Sequence, residues 1–199
     1  MLADRTLAEQ VARGDQAALE TLVYRYHAPL HGYLERMLRD RQKAEDVTQE
    51  VFVRFIRQAR ERQVPTQVKA WLYRVATNLC RDYWRSASYR SECFVQEQLP
   101  PQVDERSSVV DIFERQELRQ EVLTALNILS DTQRTIVILR FYQDMKLQEI
   151  ADALQIPLGS VKSSLYHAMR YLKKELLKER KADTVDEANM SLSERRKSR

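Results

Sequence analysis

Residues 146–177, KLQEIADALQIPLGSVKSSLYHAMRYLKKELL, constrain this chain more than any other stretch, because two amphipathic helical periods meet there across a very short break. In the first period Ile150, Ala151 and Leu154 share one face. Gln155-Ile156-Pro157 then interrupts it, with Pro where no helical N–H has to be donated. Ile156 is expected to plug the corner and Gly159-Ser160 to open a second helix, whose apolar positions Val161, Leu165, Ala168, Leu172 and Leu176 recur every three or four residues. The opposite face carries Ser163, Tyr166, His167, Arg170, Lys173 and Lys174, and no acidic residue occurs from Ser160 to Lys174. This pattern predicts a helix-turn-helix whose second helix has the width and the donors to enter the major groove of B-DNA. Two such helices can also be mere packing. The small Ala151 at the crossing and the acid-free outer face favour DNA, whereas Gln155 stands where Gly or Asn would turn the chain more cheaply.

Only 3 Gly and 5 Pro in 199 residues leave little turn material for a β architecture, so the chain is predicted to be all-α. The net charge of +4 is unevenly spread: residues 1–90 carry 16 Lys+Arg against 11 Asp+Glu, residues 91–116 carry 2 against 6, and residues 117–199 carry 15 against 12. Two basic blocks flanking an acidic one fit two DNA-facing domains joined by a linker that avoids DNA or imitates it. Cys80 and Cys93 have no paired spacing for zinc or a disulfide framework, which points to a reducing cytoplasm. His27 and His31 lie four apart on one helix without further ligands nearby in sequence, so no metal site and no cofactor are expected. The start, MLADRTLAEQ, lacks the apolar core of a signal peptide, and no run of eighteen apolar residues occurs; any membrane link is expected to come through a partner.

Periodicity divides the chain into two small helical domains. Residues 4–13 predict a brief helix; Gly14-Asp15 stops it and caps a longer one reaching Leu38, with a bend at Pro29. After the break at Arg39-Asp40-Arg41 a third helix spans about residues 42–61 and buries Val47, Val51 and Phe55. Val64-Pro65-Thr66 ends it and caps a fourth helix over about 67–86. Together these make an N-terminal four-helix domain, residues 1–88. The polar segment 89–110, stiffened by Pro100-Pro101, is a flexible acidic linker. Ile112, Leu118, Val122, Leu126 and Leu129 restore the period, and Ser130-Asp131-Thr132-Gln133 has the form of a capping box opening a helix with Ile136, Val137 and Leu139. With the helix-turn-helix these form a second four-helix domain, residues 111–180, followed by a disordered tail, 181–199.

Two further constellations exceed what core packing requires. On the fourth helix, steps of about 100° per residue place Leu72, Val75, Leu79 and Tyr83 on one side and Arg74, Asn78, Arg81 and Arg85 on the other. Such a column can follow a phosphate backbone, with Trp71, Tyr73, Tyr83 and Trp84 as stacking surfaces for unpaired bases; the alternative is a solvated basic face with the aromatics in the core. The third helix begins acidic, and the helix dipole explains Glu45 and Asp46 there better than it explains Glu50. Asp46, Gln49 and Glu50 on adjacent turns also form a docking surface for a basic helix of another protein.

The succession AEDVTQEVFVRF, AWLYRVATNLCRDYWR, a linker, and LSDTQRTIVILRFYQDMKLQEIADALQIPLGSVKSSLYHAMRYLKKEL resembles the extracytoplasmic-function sigma factors, the minimal two-domain group of the bacterial sigma-70 family, over about residues 5–178. The resemblance implies a promoter-recognition subunit of bacterial RNA polymerase, stress- or envelope-responsive, partnered by core polymerase through its β′ coiled coil and β subunit, by promoter DNA, and by an anti-sigma factor that in many members is membrane-bound. It maps Asp46, Gln49 and Glu50 to polymerase docking. It assigns the loop from Arg62 to Lys69 to a flipped base of the minus-10 element, and Asn78, Arg81 and Arg85, with Arg74 on the same column, to the opened strand. The minus-35 element falls to Ser160, Lys162, Ser163, Tyr166, His167, Arg170 and Lys174. Ser164, His167 and Met169 stand where the family often has basic residues, so the family-wide minus-35 preference does not carry over to this chain by resemblance. The acidic linker matches the family's segment that runs through the polymerase active-site and RNA-exit channel.

Neither rival class finds support in the residues. An operator-binding regulator needs a heptad seam or a sensor domain, and a nucleic-acid enzyme needs clustered carboxylates, a Gly-rich phosphate loop or a Cys/His pair in one motif. The chain is therefore expected to be no enzyme and to have no catalytic residues.

Overall fold

The computed structural model describes residues 3–86, 126 and 128–174, and every element among them is helical: α1 (Asp4–Ala12), α2 (Gln16–Leu38), α3 (Arg41–Arg60), α4 (Val68–Arg85), α5 (Asp131–Phe141), α6 (Leu147–Leu154) and α7, residues 158–174. The acidic linker, the helical period expected from Ile112 to Leu129 apart from its last positions, and the tail lie outside the described residues. The chain clusters into two compact units, one of residues 1–101 with 135–162, the other of residues 102–134 with 163–199. No described helix is long and apolar enough to cross a membrane.

Helix ends fall where short polar side chains can replace missing backbone partners. The Asp15 carboxylate accepts the Ala18 N–H at 3.1 Å, and Asp40 accepts that of Lys43 at 2.9 Å; caps of this kind are each worth about 1 kcal/mol. Arg39 closes α2 in the left-handed region, φ 57°. Pro29 lies inside α2 without ending it. Thr66 does not cap α4: Gln67 occupies that position and no side chain closes the turn. The Ser130–Gln133 box forms as expected, with Ser130 N–H donating to Gln133 Oε1 at 3.2 Å and Gln133 N–H to Ser130 Oγ at 3.4 Å.

Helices α1 to α4 enclose one core. Leu7, Ala8 and Val11 of α1 are buried, and the Asp4 carboxylate receives both the Arg25 guanidinium and the Tyr26 hydroxyl of α2. From α3, Val47, Val51, Phe52 and Phe55 point inward, and Phe55 meets Trp71 of α4 edge to face with ring centroids 5.7 Å apart. Each side chain of this size contributes about 1.5–3 kcal/mol by leaving water. Buried hydroxyls find partners on their own helix: Thr48 donates to the Ala44 carbonyl and Thr77 to that of Tyr73, both at 2.7 Å.

The inward face of α4 is rotated from the expected one. Its buried residues are Val68, Ala70, Trp71, Leu72, Tyr73, Ala76, Thr77 and Cys80, whereas Val75, Leu79 and Tyr83 are only partly covered. Ala76 and Cys80, both fully buried, belong to this face, and a count of large apolar side chains misses such small residues.

Candidate nucleic-acid interface

The turn between α6 and α7 is built on Gln155, which takes the left-handed conformation (φ 55°, ψ 43°) despite its side chain. Ile156 N–H returns to the Ala151 carbonyl at 3.2 Å. The Pro157 carbonyl accepts from Ser160 at 2.9 Å and from Val161 at 3.2 Å, so α7 starts at residue 158, one residue before the expected opening at Gly159-Ser160. Proline can nucleate this turn because only its carbonyl is needed. Along α7, Val161 and Ala168 are buried and Leu165 and Leu172 half-buried; Leu176 lies outside the described residues. Ser160, Lys162, Ser163, Tyr166, His167, Arg170, Lys173 and Lys174 are all exposed, as the periodicity requires.

These exposed residues fall into two parallel stripes at helical spacing: Lys162, Tyr166, Met169 and Lys173 on one, Ser163, His167, Arg170 and Lys174 on the other. Met169, which stands where the family often has a basic residue, is 41% exposed beside Tyr166 at 63%.

On α4, Asn78 and Arg85 are exposed while Arg74 and Arg81 are half-buried, so the basic column is present with two of its arginines partly covered. Lys69 lies in the first turn of α4, not in the loop, and its Nζ donates to the Gln143 carbonyl at 2.9 Å within the same compact unit. Tyr73 donates its hydroxyl to Gln143 Oε1 at 2.6 Å. Trp71 and Tyr73, 6% and 1% exposed, belong to the core and cannot stack on unpaired bases; Tyr83 and Trp84 keep partial access. Burial pushes the Tyr73 phenol and the Cys80 thiol well above their ordinary pKa, so neither ionises near neutrality. Arg62 is exposed in the loop before α4, with φ 59°.

Asp46, Gln49 and Glu50 are exposed together on α3. Glu50 accepts from Arg54 Nε at 2.7 Å, and Gln49 Nε2 donates to Glu45 Oε1 at 3.2 Å. Glu45 also faces both imidazoles of α2, His27 Nε2 at 3.5 Å and His31 Nε2 at 3.6 Å. The Gln49 hydrogen bond lowers its carboxyl pKa, and the fields of the two histidines add to this against a desolvation that raises it. The four-residue spacing of the histidines was visible in the sequence; the carboxylate opposite them depends on how α2 and α3 pack. Among the described residues no group of three or more His, Cys, Asp or Glu is arranged to hold a metal ion.

Residues 22–90 match the family model described as Sigma-70 region 2, and residues 119–172 match Sigma-70, region 4. The chain is 28% identical over 189 residues to the RNA polymerase sigma-H factor of Pseudomonas aeruginosa, covering 87% of this chain and 93% of that protein. It is likewise 28% identical over 179 residues to the ECF RNA polymerase sigma factor SigW of Bacillus subtilis, covering 84% and 94%. The fold is similar to that of CnrH solved in complex with the cytosolic domain of CnrY, with a TM-score of 0.66 and 24% identity over 87% of this chain and 96% of that one.

Proposed function

This chain belongs to the extracytoplasmic-function group of the bacterial sigma-70 family, and on that premise we propose that it binds core RNA polymerase, directs it to a set of promoters and helps open the DNA there. The observation that carries the reading is the outer face of α7, exposed from Ser160 to Lys174 and free of acidic residues. Such a face meets phosphates through Arg170, Lys173 and Lys174, and base edges through Ser163 and His167.

Recognition is divided between two weak readers. A good bidentate base contact discriminates by about 1–3 kcal/mol, too little for one helix to select a promoter among the competing sites of a genome. Tethering a second reader to the same polymerase multiplies selectivity through effective concentration. The second reader is the α4 column, in which Lys69, Arg74, Asn78, Arg81 and Arg85 follow the minus-10 strand. The contact of Lys69 with Gln143 must open for that lysine to reach DNA. Asp46, Gln49 and Glu50 dock on the basic coiled coil of β′. Melting uses no ATP, because unstacking costs a few kcal/mol per base and capture of a flipped base offsets it.

The chain works in the cytoplasm and makes or breaks no covalent bond. Its availability is controlled by an anti-sigma factor, the kind of partner with which the sigma factor RpoE of Bartonella quintana, a protein of similar fold, was solved. Transcription in vitro with core polymerase and a library of promoters tests the reading. The purified chain should confer selective initiation that core polymerase alone lacks, and failure to bind core polymerase would remove the proposal.

A further inference from the structure

Met169 and Tyr166 occupy one stripe of α7 with Lys162 before them and Lys173 after them, all exposed. Core packing does not account for the pair, since the inward face of this helix is carried by Val161, Leu165, Ala168 and Leu172. The surroundings say what the pair meets. Arg170, Lys173 and Lys174 lie on the same surface without a carboxylate among them, which suits the phosphate walls of a duplex groove. The floor of the major groove offers one strongly apolar group, the C5 methyl of thymine, and apolar side chains read it by contact. A thioether with three rotatable bonds can settle on that methyl from several helix positions, and the flat phenol one turn earlier supplies a wall.

We propose that Met169 and Tyr166 form an apolar slot that reads thymine methyl groups in the upstream promoter element, making Met169 a specificity-determining residue. This rests on α7 being the groove-entering helix, and it adds selection for thymine that the donors Ser163 and His167 do not provide.

The test uses the full chain assembled with core polymerase. An upstream element is first selected from a randomised library, and each of its thymines is then replaced by deoxyuridine, which removes only the methyl. The unaltered protein should lose about 3- to 10-fold in promoter affinity at one or two positions, within the range expected for a single base contact. Met169→Ala should show the loss already on the thymine duplex and little further loss on the deoxyuridine duplex, while Met169→Leu should keep the methyl dependence. Tyr166→Ala should behave as Met169→Ala at the same or the adjacent position. Equal affinity of the unaltered protein for thymine and deoxyuridine duplexes, with an upstream element still enriched, would overturn the slot and leave the function standing. No enrichment of any upstream element would overturn both.

Discussion

The Tyr33 hydroxyl of α2 lies 2.8 Å from Thr77 Oγ1 of α4, in the fully buried centre of the helices that carry the acidic patch and the basic column. Thr77 spends its own proton on the Tyr73 carbonyl, so its oxygen is the acceptor for Tyr33. The rings of Tyr33 and Tyr73 meet edge to face at 5.4 Å, which fixes how α2 and α4 approach. Tyr33→Phe should therefore cost about 1–2 kcal/mol, the usual loss for a buried hydroxyl bond. Urea unfolding of Tyr33→Phe, Thr77→Val and the double variant would show coupling between the sites; strict additivity would mean that the two hydroxyls are neighbours only.

Docking on polymerase is expected to depend on charge at the exposed start of α3. Glu50→Lys reverses a carboxylate that Arg54 only partly offsets across an exposed pair, so it should weaken core-polymerase affinity by tenfold or more without lowering the melting temperature. Asp46→Lys should act alike. Titration with labelled core polymerase reads the outcome, and undiminished affinity of both variants would place the docking surface elsewhere.

The Glu45 cluster gives a pH dependence of definite sign. Its carboxyl pKa lies below the ordinary 4.5, first through Gln49 and then through His27 and His31. A depressed value means that its stabilising contribution is complete above the unfolded pKa and is lost as pH falls through the folded one. Gln49→Ala should raise the Glu45 pKa in a carboxyl NMR titration, and replacing both histidines by Gln should raise it less. A Glu45 value unmoved by Gln49→Ala would show that this hydrogen bond is not formed in solution.

Much of this was legible because helices declare themselves at short range. Caps such as Asp15 and Asp40 and the stripe from Val161 to Ala168 depend on residues within a few positions of one another, so sequence spacing suffices. The register of α4 was not legible in the same way. Its inward face includes Ala76 and Cys80, small residues that a search for large apolar side chains passes over, and it takes Tyr73 and Trp71 into the core, the alternative that the sequence leaves open for the aromatics. Glu45 opposite His27 and His31, and Gln143 beneath Lys69, join positions far apart in sequence and follow only from packing.

The α4 column leads to a separation between binding and melting. Asn78 and Arg85 are exposed and Arg81 is half-buried. Replacing all three by Ala should leave polymerase affinity within about twofold, because docking is assigned to the carboxylates of Asp46 and Glu50, and should reduce open-complex formation several-fold. Permanganate reactivity of promoter thymines measures the melting directly. Full reactivity with the triple variant would reduce the column to a solvated face.

The second stripe of α7 orders its residues along the helix, with Ser163 and His167 toward the start and Arg170 and Lys174 toward the end. If the start enters the groove, the end meets the backbone, and the two pairs should fail differently. Ser163→Ala or His167→Ala should change which upstream bases are preferred, at a cost of about 1–3 kcal/mol at the affected position. Lys174→Ala should weaken all promoters alike and reduce the salt slope by about one. Arg170 sits between the two groups, and its variant reports where the groove ends. A randomised upstream element transcribed at two salt concentrations separates base preference from uniform weakening. Unchanged preferences in the Ser163 and His167 variants, with an altered preference for Lys174→Ala, would reverse the polarity of α7 on the duplex.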